Sequence, residues 1–274
     1  MFESFDKTLL ITDMDGTFLP ASKIPGRRSL DAVDEFMRRG GHFSIATGRA
    51  IQAADQYFET VAVNSPIVMC NGGMVYDLNE KKQIYDVFVP PHTRDIVRQV
   101  LKDNPDVGCE VLLLDNVYVP QMTPMEAAHN VICKVDPVIC TVDEIPDNWY
   151  KVLFAIEPEK MDRLVGYVKE KGFSGVDFVR SSKEYYEILP LNISKGSAIN
   201  IMRQRCGMED FTIVAMGDYN NDIEMLEAAD LAICPSNAVE EVKAVCDIVL
   251  DVSCEEDAVA EAIAYMTKRI ESNL

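Results

Sequence analysis

An apolar run near the N-terminus ends in two acidic residues that are separated by one methionine. Residues 9–11 are Leu, Leu and Ile, and Asp13, Asp15 and Gly16 follow closely. Four to six apolar residues that end at a glycine are typical of a buried strand in a parallel sheet. Ligands of open α/β sheets bind beyond the carboxyl ends of such strands. The stretch therefore predicts a buried strand whose end places Asp13 and Asp15 at a ligand site.

Two carboxylates in such a position permit several kinds of chemistry. A hard cation such as Mg²⁺ prefers oxygen ligands and would relieve the repulsion between Asp13 and Asp15. One carboxylate can also attack phosphorus and form an aspartyl-phosphate, while the other donates a proton to the leaving oxygen and later activates water. The alternative is a strand end with two solvated acids, and the spacing alone does not separate these interpretations.

The composition limits the size, the partners and the compartment. The 274 residues suffice for one large or two medium domains, and 48% of them are hydrophobic. A net charge of −19 repels nucleic acid and anionic membranes, so we expect neither as a partner. The eight cysteines are scattered without a CxxC motif, which favours reduced thiols in a cytoplasmic protein. We find no signal segment and no apolar run of membrane length.

The order of the predicted elements divides the chain into a larger domain and an insertion. Strands near 9–13, 43–47 and 67–70 alternate with helices, which predicts a right-handed parallel sheet. Hairpins mixed with helices then predict an antiparallel sheet with helices on one face, over residues 84–188. Within the insertion, Thr93 is expected to cap a helix.

Strand–helix alternation returns afterwards, with a strand predicted over 231–234 and a helix over 237–246. Residues 1–83 and 189–274 are therefore expected to form one domain, into which 84–188 is inserted.

Four short stretches fall at predicted strand ends or helix starts of the larger domain. They are Asp13-Met14-Asp15-Gly16-Thr17, Thr47-Gly48-Arg49, Lys195-Gly196 and Gly217-Asp218-Tyr219-Asn220-Asn221-Asp222. In this order, with a large insertion between the second and the third, the chain resembles the haloacid dehalogenase superfamily, and in particular its Cof-type, IIB, sugar-phosphatase-like branch. The resemblance covers nearly the whole chain. It implies an α/β fold, with a Rossmann-like parallel-sheet core and an inserted α+β cap of the C2 type.

The resemblance and the chemistry agree on the catalytic residues. Asp13 is the expected nucleophile that takes the phosphoryl group, and Asp15 is the expected general acid and base. Lys195 would supply positive charge to the phosphoryl group and to the Asp13 carboxylate. Without the motif order, Lys195 would be interpreted as a solvated lysine that opens a helix.

Phosphate-binding groups are expected in the second, third and fourth stretches. Thr47 would hydrogen-bond a phosphoryl oxygen, and the Gly48 amide would add a donor near a helix N-terminus, which favours anions. Lys195 and Asn221 would complete this set. The alternative for Thr47 is a simple helix N-cap.

The expected cofactor is Mg²⁺. The predicted ligands are Asp13, the backbone carbonyl of Asp15 that the resemblance implies, Asp218 as a direct ligand, and Asp222. Asp222 would bind directly or through water, or would orient Lys195. The alternative for the fourth stretch is an acidic helix cap, since Asp and Asn suit a first turn.

The insertion is expected to close over the site as a lid and to recognise the leaving group. Its candidate residues would line a pocket or pack within the insertion, and they are Glu110, Tyr118, Trp149, Arg180, Ser181, Ser182, Tyr185 and Glu187. Arg49 would face substrate or pair with an acid. His42, His92 and His129 fit no motif and are interpreted as structural or surface residues.

These expectations combine into a Mg²⁺-dependent phosphatase of small phosphorylated metabolites, with sugar phosphates as the leading class, acting through an aspartyl-phosphate at Asp13. One alternative is a sugar-phosphate phosphomutase, which returns the phosphoryl group to a sugar. Another is a non-enzymatic sensor that binds phosphate and Mg²⁺. The acid at Asp15 and the insertion argue against the sensor. The sequence leaves the protein as a monomer or homodimer.

Overall fold

The opening apolar run forms strand β1 (Thr8–Asp13), and all six of its residues are buried. The structure is a computed structural model that describes residues 3–273. The elements that follow β1 are α1 (Arg27–Arg38), β2 (His42–Ala46), α2 (Ile51–Phe58), β3 (Ile67–Met69), β4 (Met74–Asp77) and β5 (Lys82–Asp86). Helix α1 turns Ser29, Val33 and Phe36 inward, at the spacing expected of one helical face.

The middle of the chain forms the predicted mixture of hairpins and helices. Its elements are α3 (Thr93–Asp103), β6 (Gly108–Leu112), β7 (Val117–Gln121), α4 (Pro124–Cys133), β8 (Val138–Ile139), β9 (Lys151–Ala155), α5 (Met161–Lys171), β10 (Val176–Arg180) and β11 (Tyr185–Pro190). Alternation then returns with α6 (Lys195–Arg205), β12 (Thr212–Met216), α7 (Ile223–Ala228), β13 (Leu231–Cys234), α8 (Glu240–Lys243), β14 (Ile248–Val249) and α9 (Ala258–Asn273).

The first sheet has the strand order β14-β13-β12-β1-β2-β3-β4-β5. Its pairs are parallel from β14 to β3, and β4 runs antiparallel to β3. The chain leaves β1 toward β2 on one side and later returns to β12 on the other, so the strand order reverses at β1. Such a reversal opens a crevice at the carboxyl ends of the strands. Asp13 lies opposite Ala46, and Thr12 lies opposite Met216.

Helices cover both faces of this sheet. Leu9 and Ile11 share a buried cluster with Ile199 of α6 and Met225 of α7. Helix α1 packs instead against α9. Because the strands are buried on both faces, they are continuously apolar rather than alternating, as a parallel sheet requires.

The second sheet has the order β10-β11-β9-β6-β7-β8 and is antiparallel except for the β7–β8 pair. Helices α3 and α5 cover one face, where Val97 and Leu164 pack against Val111 and Phe154. Helix α4 lies on the opposite face, because its residue His129 contacts Glu110, the neighbour of Val111 in the strand. The expectation of helices on one face only was therefore wrong.

Helix α4 has an unusual distribution of polarity. It buries Glu126 and Asn130 toward the sheet, whereas Val131 is 77% exposed. A helix on a sheet normally buries its apolar side. A periodicity argument from the sequence would therefore have oriented α4 the other way.

The contacts of the chain group it into two compact units. One unit runs up to Gly48, from Gln56 to Tyr85, and from Ser194 onward; the other holds Arg49–Asp55 and Asp86–Ile193. The sequence placed these two boundaries at 83/84 and 188/189 and did not anticipate the grouping of Arg49–Asp55 with the insertion.

Local details differ from the sequence-based expectation at three places. Thr93 was expected to cap α3, but it is the first helical residue, and its hydroxyl has no hydrogen-bond partner among residues 3–273. The helix expected over 237–246 is reduced to α8, because Val239 is extended and donates its amide to the Asp218 carbonyl at 3.0 Å. Strand β8 was not predicted.

Within residues 3–273, the helices all fall short of the length and apolarity that crossing a bilayer requires.

Candidate active site

A buried lysine joins two of the predicted acidic residues. Lys195 is the first residue of α6 and is 0% exposed. Its Nζ donates to Oδ1 of Asp13 and, at 2.6 Å, to Oδ1 of Asp222. Both carboxylates are also buried. A solvated surface lysine is therefore excluded. The lysine lies at the carboxyl end of β1, where the strand order reverses.

Three carboxylates converge at this point. Ligand oxygens of Asp13, Asp218 and Asp222 all lie within 4.8 Å of one another. Burial raises the pKa of Asp13 well above its usual value, although the charge of Lys195 works in the opposite direction. Burial, together with the charge of Asp222, raises the pKa of Asp218 to about 7. When all three carboxylates are ionised, they carry more negative charge than one ammonium group balances.

The lysine remains positively charged in this setting. Burial alone would lower the pKa of Lys195, but the charges of Asp13 and Asp222 outweigh burial and raise it above its usual value. The excess negative charge and the all-oxygen donor set are what a hard divalent cation requires. The residues therefore fit Mg²⁺.

Local hydrogen bonds hold the two acids of the fourth stretch in place. The Thr17 hydroxyl donates to Asp218 Oδ1 at 2.8 Å. Asp222 Oδ2 accepts the amides of Asp218 at 2.9 Å and Tyr219 at 3.1 Å. Because Oδ1 of Asp222 is bound to Lys195, both of its oxygens are engaged within the protein. These contacts exceed those of an acidic helix cap.

Gly16 allows β1 and the fourth stretch to approach each other. Its φ is +93°, and a Cβ at this position would lie 2.5 Å from Oδ2 of Asp218. Any other residue would be strained and would displace this carboxylate. The position of Asp218 therefore requires a glycine directly after Asp15.

Asp15 has a different environment from the buried cluster. Its side chain is 33% exposed, and Oδ1 accepts from Lys23 Nζ at 2.7 Å. Its side chain is not one of the three that converge. Partial exposure suits a group that exchanges protons with a ligand and with water.

The predicted phosphate-binding residues surround the ends of β2 and β3. Thr47 directly follows β2 and is buried, and its amide donates to the Val68 carbonyl at 2.8 Å. Helix α2 begins only at Ile51, so Thr47 is not its N-cap. Asn221 Nδ2 donates to Oδ1 of Asn71 at 3.1 Å.

Sequence reasoning assigned no role to three contributors to this site: Thr17, Lys23 and Asn71. Thr17 and Asn71 carried a signal, since each stands beside a glycine at the end of an apolar strand. Lys23 carried none, because its pairing with Asp15 depends on how the loop after β1 folds back.

In the second unit, the candidate residues are engaged in buried or local contacts. Lys151 Nζ donates to Glu187 Oε1 at 2.8 Å, and the Ser181 hydroxyl donates to the same oxygen at 2.6 Å. His129 Nε2 lies 3.2 Å from Glu110 Oε1, and its ring packs edge-on against Tyr185. Burial opposes a charged His129, but the Glu110 carboxylate outweighs it and raises the histidine pKa well above its usual value.

The other candidates of this unit have mainly structural partners. The Trp149 indole donates to the Pro146 carbonyl at 2.5 Å, and the Tyr118 hydroxyl donates to Asp115 at 3.0 Å. Arg180 Nε donates to the Ser182 carbonyl at 3.1 Å.

His92 contacts the Ser174 carbonyl in this unit at 3.0 Å. In the first unit, His42 lies 3.3 Å from the Ser65 hydroxyl. In the second unit, Arg49 is buried, and its guanidinium donates to the Ala53 carbonyl at 3.2 Å.

Comparison with known proteins points to one family. The family model described as haloacid dehalogenase-like hydrolase matches residues 10–263. A 5-amino-6-(5-phospho-D-ribitylamino)uracil phosphatase of Bacillus subtilis is 26% identical over 96% of this chain and 97% of its own. A chloroplastic endoribonuclease of Arabidopsis thaliana, YBEY, is 28% identical over 93% of this chain but only 45% of its own length. The chain thus spans less than half of that protein.

A solved structure has the same fold. It is that of a haloacid dehalogenase-like hydrolase from Bacteroides thetaiotaomicron, with a TM-score of 0.82 at 20% identity. The match covers 94% of this chain and 99% of the other. At this identity the likeness concerns the fold.

Proposed function

The chain belongs to the haloacid dehalogenase-like hydrolase family, and we propose that within it the chain is a Mg²⁺-dependent phosphatase of small phosphorylated metabolites. It is an enzyme of a family that includes relatives named as phosphatases. The observation that carries the proposal is the buried Lys195, which bridges Asp13 and Asp222 beside Asp218 at the strand reversal. A structural core gains little from three buried charges and a half-buried fourth, because desolvation offsets much of their attraction.

Asp13 is the proposed nucleophile. One of its carboxylate oxygens attacks phosphorus in line, the bond from phosphorus to the leaving oxygen breaks, and an aspartyl-phosphate forms. The hydrogen bond from Lys195 holds Asp13 in one orientation and keeps positive charge beside the reacting group. Positioning and electrostatic stabilisation dominate phosphoryl transfer, so a preorganised lysine suits this step.

Asp15 is the proposed general acid and base. In its protonated form it donates its proton to the leaving oxygen, which departs as an alcohol. Its carboxylate then takes a proton from the water that attacks the aspartyl-phosphate. This second step releases inorganic phosphate and restores both Asp13 and protonated Asp15. Lys23, 2.7 Å from Asp15, holds the carboxylate between these steps.

We assign the metal ligands to Asp13, the Asp15 carbonyl and Asp218. Asp222 is assigned a different role, since its two oxygens already bind Lys195 and two backbone amides. It orients the lysine and the loop that carries Asp218. When bound, Mg²⁺ would offset the negative charge of the phosphoryl oxygens. Thr47, Gly48 and Asn221 are the proposed donors to the same oxygens.

The second unit is proposed to select the substrate. A relative that acts on a phosphorylated ribityl compound, as its name states, and another that is named HMP-PP phosphatase support a small phosphorylated metabolite. Sugar phosphates and similar polyol phosphates are the class we would test first. We further propose a cytoplasmic protein, monomeric or homodimeric, that binds neither nucleic acid nor membrane.

The test is phosphate release from a panel of phosphorylated metabolites, with and without Mg²⁺, with Asp13→Asn as the control. Metal-dependent release by the native protein alone supports the proposal. Transfer of the phosphoryl group to a sugar, without free phosphate, would identify a phosphomutase. Absence of any turnover, together with absence of a phosphorylated Asp13, would refute the proposed phosphatase mechanism.

A further inference from the structure

The turn after β3 contacts three of the four motif stretches, although it belongs to none of them. The Asn71 amide donates to the Thr47 carbonyl at 3.1 Å, and Asn71 Oδ1 accepts from Asn221 at 3.1 Å. A Cβ at Gly72 would lie 2.1 Å from the carbonyl oxygen of Ser194, the residue before Lys195. The turn is therefore packed between the second, third and fourth stretches.

The backbone of this turn is held in a costly conformation. Cys70, Asn71 and Gly72 have φ values of 52°, 54° and 101° in succession. Left-handed backbone is common for glycine, tolerated by asparagine and unfavourable for most other residues. Such strain persists only where surrounding contacts enforce it, and it clusters at functional sites.

The Asn71 side chain is buried and lies against the proposed phosphate donors. It is 1% exposed. A Cβ at Gly48 would be 3.0 Å from Asn71 Oδ1, so the asparagine amide packs directly on the Gly48 backbone. Asn71 therefore touches Thr47, Gly48 and Asn221, three of the four residues proposed to bind phosphate.

We propose that Asn71 is a positioning residue of the phosphate site. Its Oδ1 holds the side-chain amide of Asn221 in place, and its backbone amide holds the segment of Thr47 and Gly48. Donors from two loops can then bind one phosphoryl group. The inference rests on the proposed function and deepens it. Asn71 takes no part in bond making; it reduces the reorganisation that the donors need when phosphate binds.

The first test is Asn71→Gly, which removes the side chain and accepts the left-handed backbone. With p-nitrophenyl phosphate as substrate, kcat/KM should fall by about tenfold to a hundredfold, as for misplaced catalytic groups. The control is Asn148→Gly, because Asn148 has a similar φ of 68° but is exposed in the second unit. Wild-type kcat/KM in Asn71→Gly would overturn the inference.

A double-mutant cycle separates positioning from independent action. Asn221→Ala and the Asn71→Gly/Asn221→Ala pair are measured alongside the single variant. If Asn71 acts largely through Asn221, the pair loses much less than the product of the two single losses. Full multiplication of the losses would contradict the role.

Phosphate binding tests the same role without turnover. Asn71→Gly should weaken binding of inorganic phosphate to the Mg²⁺-loaded protein, measured by calorimetry, whereas Asn148→Gly should bind phosphate like the native protein. Native phosphate affinity in Asn71→Gly would contradict the role. If the native protein shows no turnover, the proposed function fails, and the calorimetric comparison still decides on Asn71. Absence of phosphate binding by the native protein would overturn both.

Discussion

The ammonium of Lys195 lies 2.6 Å from Oδ1 of Asp222, and both side chains are almost completely buried. The two residues are separated by 27 positions in the chain. Because Oδ2 of the same aspartate accepts the amides of Asp218 and Tyr219, one carboxylate connects the lysine to the loop of the acidic cluster. Asp222 thus couples the position of a positive charge to that of a predicted metal ligand.

Replacing Lys195 by methionine should abolish turnover and destabilise the protein. The substitution keeps the length of the side chain but leaves buried carboxylates uncompensated, which costs about 3–5 kcal/mol when one partner of a buried pair is removed. Thermal unfolding and phosphate release measure the two effects. Lys268→Met, on the final helix, is the surface control. Activity within tenfold of the native protein would contradict the assignment of Lys195.

Replacing Asp13 by asparagine should abolish turnover while raising the stability of the metal-free protein. Burial raises the pKa of Asp13, so its ionised form costs folding free energy at neutral pH. We therefore expect the free energy of unfolding to rise in the variant. Urea denaturation in EDTA measures it. A variant that is less stable than the native protein would show that the bond to Lys195 outweighs burial.

Mg²⁺ should raise the unfolding temperature, because the proposed metal site exists only in the folded protein. At a hundred times its Kd, a ligand adds about 2.7 kcal/mol to the free energy of unfolding. Thr17→Val removes the donor to Asp218 and should raise the Mg²⁺ concentration for half-maximal stabilisation by about tenfold, since a supporting hydrogen bond is lost. Thr60→Val, at an exposed position, should match the native protein. If both variants require the same Mg²⁺ concentration for half-maximal stabilisation, Thr17 does not support the metal site.

Glu126 should make stability fall as pH rises. Burial, aided by the charge of Glu110, raises its pKa from 4.5 to about 8. The folded protein therefore holds a proton that the unfolded chain releases above pH 4.5, and stability is lost between about pH 4.5 and 8. Among the described residues, the buried atoms Glu126 Oε2 and Asn130 Oδ1 have no hydrogen-bond partner, so no hydrogen bond compensates an ionised Glu126 Oε2.

Glu126→Gln tests this directly. Glutamine is neutral at every pH and keeps the shape, so the variant should be more stable than the native protein at pH 8 by about 2–4 kcal/mol and nearly equal at pH 5. Urea denaturation across this range gives the difference. Glu170→Gln, exposed on α5, should show no such pH-dependent gain. A constant offset at all pH values would mean that Glu126 does not titrate in this range.

The sequence contained enough information for the alternation of the first sheet and for the order of the four stretches. An apolar run such as residues 9–11 indicates a buried strand, and the glycine a few positions later indicates where that strand ends. The expected strand at 43–47 is observed as His42–Ala46, and the one at 231–234 as Leu231–Cys234. Patterns of this kind are local, so they survive without knowledge of the rest of the molecule.

The orientation of helix α4 could not be predicted from the apolar pattern of the sequence. Its exposed Val131 and buried Glu126 contradict the rule that the apolar side faces the sheet. Their positions depend on Gly108 of β6, where a Cβ would lie 2.6 Å from Glu126 Cβ, and on the hydrogen bonds that the buried face makes. Whether a buried polar face finds space and hydrogen bonds depends on the strand that packs against it. The sequence of the helix alone does not contain this information.

By itself, the sequence determined which residue types stand at the ends of the strands, because chain connectivity and apolar patterning act over short distances. Only the tertiary structure decided which of them meet. Lys195 reaches Asp13 across 182 positions, Thr17 reaches Asp218 across 201, and Asn71 joins Asn221 across 150. These contacts follow from the strand order around β1, and strand order is settled by the packing of all the layers at once.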